Sequence, residues 1–247
     1  AALWGRVMMH SAGIQDPAIN ARAALDDAIG KAEAALFSRQ RADGHWVFEL
    51  EADATIPAEY VLLRHYLGEP VDAALEAKIG TYLRRRQSDE HHGWPLYHRG
   101  AFDISATIKA YYALKLIGDP VDAPHMVRAR AAVLKAGGAE AGNVFTRIQL
   151  ALFGAGPWHV VPTIPPELMV APRWFPVHLS KFSYWARTVV VPLLVLCALK
   201  PKARNPKGVL VDELYSGQPR GLTSQAAHVH KGWKWFFEGL DFVLRRG

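Results

Sequence analysis

One cysteine in 247 residues excludes a disulfide framework and any Cys-based zinc site. That residue, Cys197, lies in the apolar run Val189–Leu199, where a buried thiol acting as a small hydrophobe is expected. The same run is the longest apolar stretch. Its eleven residues fall short of the ~20 that span a bilayer, so no transmembrane helix is expected. Strand-type alternation is scarce, and neither a phosphate-binding Gly-rich loop nor a Gly-x-Ser-x-Gly motif occurs. The chain opens Ala1-Ala2-Leu3-Trp4, without Met, a basic n-region or a clean apolar h-region. No signal peptide is expected, and further residues are expected upstream. His91-His92 and His228-Val-His230 lack a supporting carboxylate or Cys cluster, so they read as exposed loop histidines and no metal is expected.

What is present is a core. Half of the residues are apolar and 21% are charged, enough for one large domain or two small ones. The net charge of +6 points to an anionic partner, nucleic acid or membrane. Nucleic-acid binding needs a basic face interleaved with base-stacking aromatics. Most of the eight tryptophans sit instead in turns or apolar helices, so no nucleic acid is expected.

Helical spacing dominates. Residues 18–38 carry Leu25, Ile29, Ala32 and Leu36 on one face. Further helices are expected at 57–67, 71–86, 104–117, 123–136 and 143–153, several closed by glycine (Gly68, Gly118, Gly137, Gly154). Arg84-Arg85-Arg86 suits the negative end of its helix. Six prolines between 155 and 176 forbid a long helix there. Residues 180–200 read as a long apolar helix with a kink at Pro192, 201–224 as a loop, and Lys231–Arg246 as a short aromatic helix. The fold class is all-α.

Two turns share a pattern. Gln40, in a turn with Gly44 and Trp46, is followed 47 residues later by Gln87, and Trp46 is followed 48 residues later by Trp94, which Gly93 precedes. The second copy is one residue longer and has no Gly where the first has Gly44. A Gly allows the tight turn, a Gln amide can bond backbone groups at a neighbouring helix end, and the indole can stack on it. A period near 47 with two helices per unit suits helical hairpins, stacked as an open solenoid or closed into an α/α barrel.

Paired helices with Gln-Trp turns resemble the class II triterpene cyclases, specifically the bacterial squalene–hopene cyclases. Sharper matches are Ala58-Glu59-Tyr60-Val61-Leu62-Leu63, Gly93-Trp94-Pro95-Leu96-Tyr97 and Asn143-Val144-Phe145-Thr146-Arg147. Pro162 to Met169 and Ser183-Tyr184-Trp185-Ala186-Arg187-Thr188 complete the series, in the family's order. The resemblance implies an α/α barrel (toroid) over 18–230, after an N-terminal segment 1–17, within a two-barrel enzyme. It implies cyclisation of squalene to pentacyclic hopene or hopanol in hopanoid biosynthesis, without a cofactor. The family's initiating acid lies in an Asp-x-Asp-Asp motif. The only adjacent Asp pair here is Asp26-Asp27, so no catalytic residue is assigned. The chain then reads as a portion truncated before the catalytic domain, inactive alone, with that C-terminal domain as a missing partner.

The resemblance places Trp185 and Tyr184 at the substrate cavity, with Glu59 and Gln149. An indole face stabilises a passing cation. Glu59 has an alternative role as a carboxylate near a helix N-terminus. Gln149 stands where some members have Trp, and Lys109 where some have Glu. Residues 231–247 combine Trp233, Trp235, Phe236, Phe237 and Leu240 with Lys231, Lys234, Arg245 and Arg246, as a helix lying in a membrane interface does. From Pro201 onward there are eight basic and four acidic residues. The resemblance implies a monotopic protein on the cytoplasmic side of the bacterial inner membrane, and leaves homodimer formation open. Another class II cyclase, and a non-catalytic lipid-binding or scaffold barrel, are the alternatives.

Overall fold

The computed structural model describes residues 17–48, 51, 53–162, 164–176, 178–205 and 207–217. It is helical. Seven α-helices appear among the described residues: α1 Pro17–Phe37, α2 Thr55–Leu67, α3 Ala73–Arg86, α4 Ile104–Ile117, α5 Pro124–Lys135, α6 Val144–Leu152 and α7 Tyr184–Leu199. No strand occurs among them; one isolated bridge joins Trp94 and Asp103. The helix starts follow from side-chain caps. Asp72 accepts from the Leu75 amide, Asp103 from Ala106, Asn143 from Thr146 and Ser183 from Ala186, at 2.7–3.1 Å. Gly68 ends α2 at φ 65° and Gly118 ends α4 at φ 123°. Among the described residues no helix is long and apolar enough to cross a membrane.

The chain divides between residues 51 and 52 into two compact units. The first holds α1 and the turn after it. Its apolar side chains, Leu25, Ile29, Leu36 and Phe37, are exposed.

The second unit is organised around α4. Eleven of its residues are buried, because it packs against α2, α3, α5 and α6 at once. A helix surrounded in this way carries apolar residues on every face, as Ile108, Tyr111, Tyr112, Leu114 and Leu116 do. The segment 203–216, expected as a polar loop, has no long helix but is no free loop. The Tyr112 hydroxyl donates to the Val209 carbonyl, and Lys115 Nζ donates to Leu210 O and Glu213 Oε1. Lys207 Nζ reaches Leu116 O, while Val211 and Leu214 are fully buried. Val209, Val211 and Leu214 thus pack against the core around α4, while Lys207 and Glu213 bond to α4 groups.

Candidate functional site

The two Gln-Trp turns have the same wiring. In the first, Gln40 Nε2 donates to Gly44 O at 2.7 Å, and Trp46 Nε1 donates to Leu36 O at 2.8 Å. In the second, Gln87 Nε2 donates to His92 O at 2.8 Å, and Trp94 Nε1 donates to Leu83 O at 2.8 Å. Leu36 and Leu83 each lie in the last turn of a helix, where carbonyls have no intrahelical donor. The indole supplies it at Leu83, and at Leu36 it joins the Arg39 amide on the same carbonyl. This donor role was missed by a reading that gave the ring a stacking job. Gln87 makes a second bond to His125 O at 2.9 Å, tying the turn to the start of α5.

The missing glycine of the second turn is explained by its backbone. Gly44 and His92 each stand two residues before the Trp and adopt positive φ, 89° and 62°. His92 therefore holds a left-handed conformation that costs a side-chain-bearing residue about 1–2 kcal/mol. His92→Gly is expected to raise stability by about 1 kcal/mol, read as a higher urea midpoint with unchanged slope. Gly93 has a different reason. A Cβ there would stand 2.5 Å from Phe102 and Thr107 side-chain atoms. His91 and His92 are half-buried rather than exposed. The His91 ring packs edge-on against Phe102, and its Nδ1 accepts from the Gly93 amide. Among the described residues no cluster fit for a metal ion occurs.

Of the four cavity candidates, Glu59 has the clearest partner. It accepts from Lys109 Nζ at 2.5 Å, across α2 and α4. Lys109 is 8% exposed, whereas the Glu59 side chain keeps 43% of its surface. Glu59 is the fifth residue of α2, beyond the first turn, so an ion pair, not the helix dipole, accounts for its place. Gln149 is half-buried on α6. That helix packs through Ile148 and Ala151 against Leu193 and Cys197 of α7. Cys197 is half-buried rather than buried, and desolvation pushes its thiol pKa up. Tyr184 and Trp185 open α7, each 77% exposed. They stand at the end of the helix remote from the Leu193–Cys197 contact. Nearby on α6, Arg147 donates to Val160 O at 3.1 Å, and burial pushes its pKa down. The aromatic helix candidates Trp233, Trp235, Phe236, Phe237 and Leu240 lie outside the described residues.

A charge network around the half-buried Asp119 escaped the sequence reading. Arg84, assigned to the helix dipole, instead grips Asp119 with two bonds, Nε to Oδ2 at 2.9 Å and Nη2 to Oδ1 at 2.6 Å. His125 Nε2 reaches the same carboxylate at 2.7 Å. Burial alone would raise the Asp119 pKa, but the hydrogen bonds from Arg84 and His125 outweigh it and hold the carboxyl below its ordinary value. A depressed folded-state pKa gives stability that is present above the unfolded value, about 3.9, and lost as pH falls through the folded value. Asp119→Asn is therefore expected to lower the melting temperature at pH 7. It is also expected to flatten the wild-type loss of stability below about pH 4, as measured by melts from pH 7 to 3.

The family described as squalene-hopene cyclase N-terminal domain matches residues 29–247. A squalene–hopene cyclase of Bradyrhizobium diazoefficiens is 59% identical over 90% of the chain and 34% of its own length. One from Zymomonas mobilis is 61% identical over 90% of the chain and 33% of its own length. One from Alicyclobacillus acidocaldarius is 38% identical over 85% and 32%. The chain thus spans about a third of the length of the curated relatives it matches.

Proposed function

The chain belongs to the squalene–hopene cyclase family, whose N-terminal domain it matches, and from that membership we propose that it forms part of an enzyme cyclising squalene to hopene or hopanol. The domain is of the α/α-barrel class, in keeping with the seven α-helices among the described residues. The observation that carries the functional reading is the match itself, 59% and 61% identity across 90% of the chain with enzymes of that name.

The reaction needs an acid to protonate a terminal alkene. It then needs a dry aromatic wall along which carbocations form before water or a base can quench them. The acid belongs to an Asp-x-Asp-Asp motif outside these 247 residues. The wall is this chain's share. Trp185 and Tyr184 present π-faces from a capped helix start, and a desolvated indole is worth about 2 kcal/mol to a cation. Glu59, held by Lys109, and Gln149 supply polarity along the same cavity. Gln40, Trp46, Gln87 and Trp94 brace successive helical hairpins. Residues 231–247 form a membrane foot through Trp233, Trp235, Phe236, Phe237 and Leu240, on the cytoplasmic face of the bacterial inner membrane, where a water-insoluble substrate is met. The remaining cyclase domain is the partner that completes the cavity.

The test is product formation from squalene, followed by gas chromatography with mass detection. The full-length protein is expected to yield a pentacyclic product and the 247-residue chain none. Trp185→Leu in the full-length protein is expected to lower kcat about tenfold. Turnover by the 247-residue chain alone, or an unchanged kcat in Trp185→Leu, overturns the corresponding part of the reading.

A further inference from the structure

Segment 203–216 crosses the ends of three helices, and it meets each with a donor. The Ala203 amide donates to Leu152 O at 2.7 Å, the Arg204 amide to Tyr66 O at 3.4 Å, and Lys207 Nζ to Leu116 O at 2.9 Å. These acceptors stand in the last turns of α6, α2 and α4, where carbonyls lack intrahelical donors and the helix dipole is negative. The segment brings Arg204 and Lys207 to that end, and α4 adds Lys115. The crossing is close: a Cβ on Gly68, just after α2, would stand 2.8 Å from the Arg204 side chain. The segment also has a defined shape. Asn205 and Gly208 hold left-handed φ of 36° and 60°, the Gly208 amide donates to Asn205 O, and Asn205 Nδ2 donates to Val209 O. Toward their other ends the helices meet again. The Asn143 amide, before α6, donates to Ser105 Oγ on α4 at 3.0 Å, and Lys109 on α4 reaches Glu59 on α2. So α2, α4 and α6 run in the same direction, footed on one segment.

We propose that segment 203–216 is a positioning strap: Lys207, with Lys115, fixes the height of α4 against α2 and so keeps the Lys109 ammonium level with Glu59. The chemistry that this pair serves rests on the cyclase reading; the strap itself does not. Register carries the argument. Tyr66 follows Glu59 by seven residues, and Leu116 follows Lys109 by seven. At 1.5 Å per residue, both charged residues stand about 10 Å along their helices from the carbonyls that the strap holds. Equal heights above a common footing bring the two side chains opposite each other. Apolar packing is non-directional and tolerates small slides, whereas hydrogen bonds to particular carbonyls fix a position. Without its ties α4 is free to slide or turn, and each residue of screw motion carries Lys109 about 100° round the axis. None of the strap's bonds touches Glu59 or Lys109, so the strap acts on the pair through the helices.

The experiment uses full-length protein and Lys207→Met/Lys115→Met, which keeps both aliphatic stems and removes the two ammonium ties. Hydrogen exchange followed by mass spectrometry is expected to quicken about tenfold in the last turns of α4 and α2 together, with α3 unchanged. With squalene, kcat is expected to fall about fivefold while KM stays within about twofold, and Lys207→Arg/Lys115→Arg is expected to restore it. In a Lys109→Met background the same two Met substitutions are expected to change kcat by less than about twofold, because no ammonium is left to hold level. An equal loss in both backgrounds overturns the positioning role. So does faster exchange confined to 203–216, which would show that the helices do not share this footing. Full-length wild type that yields no product overturns the cyclase reading instead, and the exchange result then decides the strap by itself.

Discussion

Trp94→Ala is expected to destabilise the protein by about 4 kcal/mol, roughly a thousandfold in the unfolding equilibrium. Two losses combine. Trp94 is completely buried in the core around α4, so its removal leaves a cavity that α4 and α3 cannot fill without leaving their caps. Its indole is the donor for Leu83 O, and that carbonyl would be left unpaired away from water, at about 1–3 kcal/mol. Its own amide, held by the Thr107 hydroxyl, is a backbone donor that the substitution keeps, so the turn stays anchored to the first residues of α4. Trp94→Phe separates these terms: most of the volume remains while the donor is lost, and about 2 kcal/mol is expected. Trp46 makes the same bond to Leu36 but is 36% exposed. Trp46→Ala is therefore expected to cost only about 1 kcal/mol. Urea unfolding of the three variants checks this ordering. Equal losses at positions 46 and 94 would show that burial does not set the difference.

That contrast shows what the sequence made legible. The helices were readable because their ends are written in short-range chemistry. Asp72, Asp103, Asn143 and Ser183 cap starts, and Gly68 and Gly118 close ends, each acting on a backbone group a few residues away. The two Gln-Trp turns were readable for the same reason, since all but one of the four residues' side-chain bonds fall within eleven positions. The exception, Gln87 to His125, spans 38. Pairings of that kind were invisible. Arg84 and Asp119 are 35 positions apart, Glu59 and Lys109 fifty, and Tyr111 and Glu213 about a hundred. Each depends on how α4 lies against its neighbours, which no local pattern encodes.

The apolar surface was hidden for the opposite reason. Hydrophobic spacing identifies a face but does not say whether this chain covers it. Leu25, Ile29 and Leu36 on α1 follow the period of a buried stripe and are exposed, as are Tyr184 and Trp185 on α7. For a chain that spans a third of its relatives, such faces mark where the remaining polypeptide, substrate or lipid has to be sought. The family match gave the cavity candidates names before any geometry was known. The structure adds to them one polar partner, Lys109, at a position where the resemblance had suggested a glutamate.

That partner makes the second large effect asymmetric. Glu59→Gln is expected to cost about 2 kcal/mol, and Lys109→Met close to nothing. In the first variant a buried ammonium keeps its charge and loses its counter-ion. A fully buried pair broken in this way costs about 3–5 kcal/mol, and the 43% exposure of the Glu59 side chain lets water recover part of it. In the second variant the lysine's place in the core is taken by an unbranched apolar chain of similar length, while Glu59 turns its carboxylate to solvent. The double variant is expected to match Lys109→Met, because without the ammonium the carboxylate no longer has a buried partner to satisfy. Denaturant melts of the three proteins form the cycle that measures the coupling. If Lys109→Met proves the more damaging single change, the lysine contributes by its contacts with α2 rather than by needing Glu59. If the ordering holds, the same substitutions in the full-length protein test whether the charge of this pair is felt by the proposed cyclisation. A Lys109→Met protein that is stable but slower with squalene would place that charge in the chemistry as well as in the fold.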